Sequence, residues 1–513
     1  LGEQQDWGDE GIEPAVWRYA MANRAHVVID AENYFDIMRE AMVQARQRIF
    51  LIGWDFDTRI LLSSGRRWWS LPRKGRYPAR LGSFILWLAK TTPGLEVRIL
   101  KWNISMFKSM LRGSMVVDLL RWAMQPSIDF KFDSAHPVGC SHHQKIAVID
   151  SKFAVCGGID MTTDRWDTRE HVHNDPRRKR PAGQHYDPWH DATMLLEGEI
   201  AEGLSALGTA RWKAAGGGDL PACKPQAESA WPESIDAEFR DVELGIARTR
   251  AKYGDCPQIN EIEQLFVAQI RRAKKFIYAE TQYFASRLIA EAICERLAEP
   301  DPPEFVIVNP LHADGWLEQV AMDSARAELR EVVNAVDHAG RFRIFTPYTS
   351  GGTPIYVHAK VTIIDDEILR VGSANMNNRS MGLDSECDVF IDVTRPKNAH
   401  CGDQIRNLRL SLIAEHCGLS IEQAAAELER HGSMIAMIDA QSKTGKHLDT
   451  LPLQAISEPE RVLAKGAILD PERPDEMFEP MSKRGLFRRK GYLRRTRNML
   501  ERMKRLKNRR ARG

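Results

Sequence analysis

One short pattern, His-x-Lys-x-x-x-x-Asp, occurs twice in this chain, and each copy closes the same order of elements. In the first half a helical pattern over 34–45 feeds a strand-like run at 48–56, then a helix at 80–90 and strands at 97–102 and 130–133. The run SHHQKIAVID (141–150) follows, with FAVCGGID (153–160) after it. In the second half a helix at 262–273 feeds KFIYAETQYF (275–284), a helix at 288–298 and strands at 305–310 and 342–347. YVHAKVTIID (356–365) and ILRVGSAN (368–375) then stand where their counterparts stood. Strands alternating with helices make βα units. The expected fold is therefore α/β: two similar lobes, each a mixed or mostly parallel sheet flanked by helices. Lobes are placed at 25–212 and 239–395, with a Gly/Pro/Ala-rich linker at 213–238. A helical and irregular extension is expected over 396–481, without further strands, and a basic tail over 482–513.

At 513 residues, 43% hydrophobic and 28% charged, the chain has the balance of a protein that buries real cores. No stretch approaches 18 uninterrupted apolar residues, so no transmembrane helix is expected. The opening LGEQQDWGDEG does not read as a signal peptide, and a cytoplasmic, peripherally membrane-associated protein is expected. The net charge of +2 hides an asymmetry. From Ser482 to Gly513 there are 15 Lys/Arg against one acid, a net of +14, which leaves −12 for the rest. Such a tail seeks an anionic surface, phospholipid or nucleic acid. Met499, Leu500, Met503 and Leu506 stand at helical spacing among its arginines, as in a basic amphipathic helix lying on anionic membrane. The eight cysteines form no C-x-x-C pair and read as small, reduced core residues.

The spacing inside the repeat sorts its residues. HQKIAVID and HAKVTIID are β-branched and apolar, and strand side chains alternate faces. His143 and Lys145 thus share a face, as do His358 and Lys360. Asp150 and Asp365 fall on the other face and are read as structural, as are the glycines that follow, Gly157, Gly158 and Gly372. Two near-identical lobes facing each other about a pseudo-twofold axis bring both His-Lys pairs into one cleft. A phosphodiester suits such a site. One neutral imidazole attacks phosphorus, the other, protonated, donates to the leaving oxygen, and two ammonium groups hold the non-bridging oxygens. The residues alone leave the two histidines interchangeable.

These motifs carry a resemblance to the phospholipase D superfamily, whose signature is the duplicated His-Lys-Asp motif. SHHQKIAVID…GGID with RWDT, then PWHD (188–191), AETQYF (279–284), the 356–380 run and DSE (384–386) resemble its phosphatidylcholine-type branch. The likeness spans about 25–395, and the last 120 residues lie outside it. It implies that His143 is the nucleophile and His358 the general acid, with Lys145 and Lys360 binding phosphate. It further implies that Asp191 and Glu386 orient the histidines and that Asp160, Ser373 and Asn375 stand near the phosphate. No cofactor and no metal is implied. Glycerophospholipid is the expected substrate, with phosphatidic acid and free headgroup as products, or headgroup exchange when an alcohol intercepts the intermediate. A cardiolipin synthase-type transferase, a nuclease of the same superfamily and a non-enzymatic membrane scaffold are the rivals. Nucleic acid is not the expected partner.

Two features stand apart from the motif. Several histidines crowd 136–190, but His171-x-His173 has no cysteine or acid at fixed ligand spacing, so a catalytic metal is not expected there. His136 and His142 read as hydrogen-bonded neighbours of the site. The run 63–80, with Trp68, Trp69 and Tyr77 among six Arg/Lys, reads either as an interfacial anchor or as a segment folded under the lobe.

Overall fold

The computed structural model describes residues 12–62, 77–102, 113–225, 228–313 and 316–452. Trp68, Trp69 and the 453–513 segment, basic tail included, lie outside the described residues. The expected α/β duplication is present, but among the described residues the two halves share a single 16-stranded sheet.

The sheet reads almost as a palindrome. In the first half Ile128–Asp133, Glu96–Trp102 and Arg48–Gly53 run parallel. Ile146–Ile149, Phe153–Gly157 and Ala192–Glu197 then add antiparallel. In the second half Phe342–Tyr348, Glu304–Val308 and Phe276–Glu280 run parallel. Val361–Ile364, Ile368–Gly372 and Glu386–Asp392 follow antiparallel. The halves meet where Arg18–Ile29 pairs antiparallel with Phe239–Arg250, twelve residues each. A fully buried run such as Ile146–Ile149 has apolar side chains on both faces because helices and the partner half cover both. The helix Ala31–Gln44 shows the complementary pattern, burying Tyr34, Phe35, Met38, Ala41 and Met42 at helical spacing.

Three expectations need correction. The chain continues to add strand beyond 395: His447–Thr450 pairs antiparallel with Phe342–Tyr348. Four residues with two charged or titratable side chains gave no alternation to read, and the pairing is supplied by a distant edge. The helices Gly402–Cys417, Ile421–His431 and Met434–Ala440 are no appendage. Ile405, Leu408, Leu412, Met437 and Ile438 share one core with Ile146 and Val148 of the first half and Val361 and Ile363 of the second. Finally, His143 and Lys145 are not inside a ladder. The strand begins at Ile146, and the preceding residues are extended backbone crossing to the other half, where His143 N donates to Ser385 O at 2.9 Å. His358 likewise sits between the short strand Tyr356–Val357 and Val361–Ile364, its N donating to His190 O at 2.7 Å.

Candidate active site

Those two crossings build the site at the join between the halves. Trp189–His190 pairs parallel with Tyr356–Val357, and an isolated parallel bridge, His142 to Ser385, is its counterpart. Each histidine is thereby held against the half it does not belong to. The imidazoles of His143 and His358 stand 6.5 Å apart between ring centroids, inclined at 66°.

Each ring is held by an acid from the opposite half. His143 Nδ1 lies 3.0 Å from Glu386 Oε2 and 3.1 Å from the Ser373 carbonyl oxygen. A carbonyl only accepts, so Nδ1 carries the hydrogen, and a neutral ring keeps its lone pair on Nε2. His358 Nδ1 lies 2.7 Å from Asp191 Oδ2. Glu386 is fixed in turn by hydroxyls, with Ser373 Oγ donating at 2.5 Å and Ser380 Oγ at 2.7 Å. Asp191 Oδ1 accepts from Ala192 N at 2.9 Å.

Both lysines are buried, as is His358, while His143 keeps part of its ring exposed. Lys145 Nζ donates to the His143 carbonyl at 2.7 Å and stands 3.4 Å from Asp160 Oδ2. Lys360 Nζ donates to the His358 carbonyl. Burial, with Lys145 and Lys360 close by, holds His143 well below the usual imidazole range. Burial, Lys360 and Arg165 do the same to His358. Burial also lowers the Lys360 ammonium to about 7, opposed by Asp191. The carboxyls move the other way: burial raises Asp191 to about 6 and Glu386 to about 8, against the pull of Lys360 and Lys145 respectively. All five shifts disfavour uncompensated charge in a buried cleft. An anion placed between the lysines would relieve them and let an imidazole take up a proton.

The remaining expected residues fall into two groups. Asp160 Oδ1 accepts from Trp54 N at 3.0 Å, and Asn375 Nδ2 reaches Gln282 Oε1 at 3.4 Å. Both side chains are buried and keep one oxygen without a hydrogen bond, Asp160 Oδ2 and Asn375 Oδ1. Gly158 and Gly372 permit close approach: a Cβ on Gly158 would lie 2.1 Å from Asp191 Oδ1, and one on Gly372 1.9 Å from Asp388 Oδ1. Gly157 meets Thr193 in the same way, at 2.3 Å from its Oγ1. Asp150 and Asp365 lie outside the site, at the far ends of Ile146–Ile149 and Val361–Ile364. Each sits at positive φ (52° and 55°) and collects three backbone N–H groups at the start of a neighbouring strand. Asp150 binds those of Arg46, Gln47 and Arg48, and Asp365 those of Lys274, Lys275 and Phe276.

Several site neighbours escaped sequence reasoning. Trp189 stacks on Tyr356 at 4.6 Å and tilts against His358 at 5.1 Å, and the Arg165 guanidinium lies 4.1 Å from the centroid of its indole ring. Asp388, raised to about 6 by burial, accepts from Ser373 N and Ala374 N. Trp189 and Arg165 belong to the PWHD and RWDT runs, so their positions were marked but their ring contacts were not. His142 bonds Ser385 Oγ at 2.7 Å, and His136 accepts from Trp102 Nε1 at 3.0 Å.

A duplicated α/β sheet with two acid-braced histidines and two buried lysines defines a class, and similarity to known proteins agrees with it. The phospholipase D family model matches residues 41–288 and 346–463, and the chain belongs to that family. The match reaches residue 463, correcting the expectation that the likeness stops near 395. Phospholipase D alpha 1 of Nicotiana tabacum is 24% identical over 527 residues, covering 76% of this chain and 64% of its own length. Phospholipase D alpha 1 of Carica papaya is 23% identical over 529 residues, with the same coverage of 76% and 64%. The chain thus spans just under two thirds of the length of these relatives. Among solved structures, a phosphatidylserine synthase of Haemophilus influenzae Rd KW20 shares the fold with a TM-score of 0.54 at 12% identity, covering 91% of this chain and 98% of that one.

Proposed function

We propose that this chain is a phospholipase D-type phosphodiesterase that cleaves the distal phosphodiester bond of glycerophospholipids through a phosphohistidine. The observation that carries the reading is the facing pair of histidines, each held at Nδ1 by an acid of the other half. That leaves both Nε2 atoms for chemistry across a gap that one tetrahedral phosphate can span. His143 Nε2 attacks phosphorus, forming the P–N bond as the P–O bond to the headgroup breaks. His358, protonated on Nε2, gives its proton to the departing headgroup oxygen. Lys145 and Lys360 neutralise the non-bridging oxygens, a role worth most in a site from which water is excluded. Water or an alcohol then gives a proton back to His358 and attacks phosphorus, the P–N bond breaks, and His143 is regenerated. Asp160, whose Oδ2 faces Lys145 Nζ, and Asn375, whose buried Oδ1 makes no hydrogen bond, stand beside the phosphate and position it. No helix of the described residues is long and apolar enough to cross a membrane. Contact with the bilayer is assigned instead to the basic segment 482–513 on anionic lipid.

The test incubates purified protein with mixed phospholipid vesicles and ethanol, beside a tube of single-stranded DNA. Phosphatidylethanol together with phosphatidic acid is the expected result. Products of headgroup exchange without phosphatidic acid would make the chain a transferase. DNA cleavage without lipid turnover would move it to the nucleases of the same superfamily. No turnover of either substrate, with both motifs intact, would favour a scaffold.

A further inference from the structure

Beside Asp191 a second constellation is assembled from four separate segments. Asp30 precedes the helix Ala31–Gln44, His171 comes from the loop after the first motif, His190 from the short strand, and Glu415 from the helix Gly402–Cys417. All four are buried, and one donor atom of each lies within 4.8 Å of the other three. His171, expected on a polar loop, is fully enclosed. His171 Nε2 and His190 Nδ1 each stand 3.1 Å from Glu415 Oε1. The same nitrogens stand 3.5 Å from Asp30 Oδ2 and 3.3 Å from Asp30 Oδ1. Nitrogen and oxygen ligands at about 2.0–2.1 Å on a tetrahedron are separated by roughly 3.3 Å, the same spacing.

Three further observations point to a bound cation. Asp30 Oδ2 and His190 Nδ1 are buried, aimed into the cluster, and make no hydrogen bond. Buried polar atoms left so are costly unless something sits between them. The outward atoms of three of the four side chains are anchored. His171 Nδ1 meets Asp167 Oδ2 at 3.0 Å, His190 Nε2 meets Glu280 Oε2 at 2.8 Å, and Glu415 Oε2 accepts from Arg169 Nε at 2.5 Å. A carboxylate on the far nitrogen of a ligating histidine is the usual support of a metal site. The charges also count out. Asp30, Asp167, Glu280 and Glu415 outnumber the fixed cations set against them, Arg169 on Glu415, Arg178 on Asp167 and Lys446 beside Glu415 and Asp30. A cation held between neutral imidazoles would supply the missing positive charge.

We propose that Asp30, His171, His190 and Glu415 form a structural site for one divalent cation, with a donor set that suits zinc. It takes no part in bond making. It braces Asp191, at the join between Trp189–His190 and Ala192–Glu197: Asp191 N donates to Asp30 Oδ1 at 3.0 Å, and Asp30 N to Asp191 O at 2.9 Å. The inference rests on donor geometry and not on the proposed reaction, and its readouts are metal content and stability.

The experiment expresses the full chain without a histidine tag in zinc-supplemented medium, then measures zinc by mass spectrometry and Tm before and after chelation. One zinc per chain is expected, with a Tm that falls on chelation and recovers when zinc alone is returned. Glu415→Gln and His171→Asn should each lose the zinc. Because either variant can fail to fold, X-ray absorption at the zinc edge of the unaltered protein reads the ligands directly. Two imidazole nitrogens and two oxygens are expected. A zinc-supplemented protein without stoichiometric metal and with an unchanged Tm would overturn the site. So would nuclear magnetic resonance showing both rings protonated on both nitrogens, because protons would then supply the charge.

Discussion

Glu386 Oε2 stands 3.0 Å from Nδ1 of His143, and the two residues belong to opposite halves of the chain. The converse pair, Asp191 and His358 at 2.7 Å, crosses in the other direction. Neither half can orient its own histidine, so the duplicated fold works only as one unit. An amide in place of either acid would present N–H to Nδ1 and favour the wrong tautomer. Glu386→Gln and Asp191→Asn should therefore keep the fold and lose about two to four orders of magnitude in kcat. Circular dichroism and steady-state kinetics on lipid vesicles check this. Near-normal turnover in either variant would remove that acid from the mechanism.

The two histidines are told apart by leaving group. His143→Ala and His358→Ala should each abolish turnover of phosphatidylcholine. With a p-nitrophenyl phosphodiester the departing oxygen needs no proton, so a variant lacking only the general acid recovers. We expect release of p-nitrophenol by His358→Ala and none by His143→Ala, read as absorbance in a single-turnover experiment. The reverse pattern would exchange the two roles.

How much of this was legible in the sequence varies by residue. His143, Lys145, His358 and Lys360 were readable because the motif repeats at matching places in a repeated element order. The pairing of each acid with the opposite histidine was not readable from spacing. Glu386 reaches His143 across 243 residues, and only the sheet brings them together. The long strands Arg18–Ile29 and Phe239–Arg250 gave a weak signal because arginines and an aspartate interrupt their alternation, yet they form the seam of the whole sheet. Glu415 and His416 end a helix whose last residues, Leu412 to Cys417, are all buried, and an apolar run of that kind signals burial but not what its polar residues touch.

Lys360 predicts a pH dependence. Burial lowers its ammonium to about 7 in the substrate-free protein, so the charge that grips phosphate is lost as pH rises through that value. kcat/KM, which reports the free enzyme, should fall on the alkaline side of about pH 7. kcat should hold to higher pH, because the bound phosphate favours the charged lysine. Lys360→Arg stays protonated throughout. It should be slower at every pH but lose the alkaline fall, and a fall unchanged in this variant would assign it to another group.

Asp150 and Asp365 act on stability alone. Each carboxylate satisfies three backbone N–H groups at the start of a neighbouring strand from a residue at positive φ. Replacement by alanine removes those acceptors and keeps the Cβ that aspartate already holds in a strained conformation. Replacement by glycine removes the acceptors and relieves that strain. We expect Asp150→Ala and Asp365→Ala each to lose about 3 kcal/mol, since hydrogen bonds to a charged group are strong and buried donors left unmade are costly. The glycine variants should lose about 1 kcal/mol less, the share due to backbone strain. Urea unfolding measures both. Below the unfolding transition the kcat of all four variants should match that of the unaltered protein, because neither aspartate approaches the histidines. A loss of kcat without loss of stability would place these residues in the site after all.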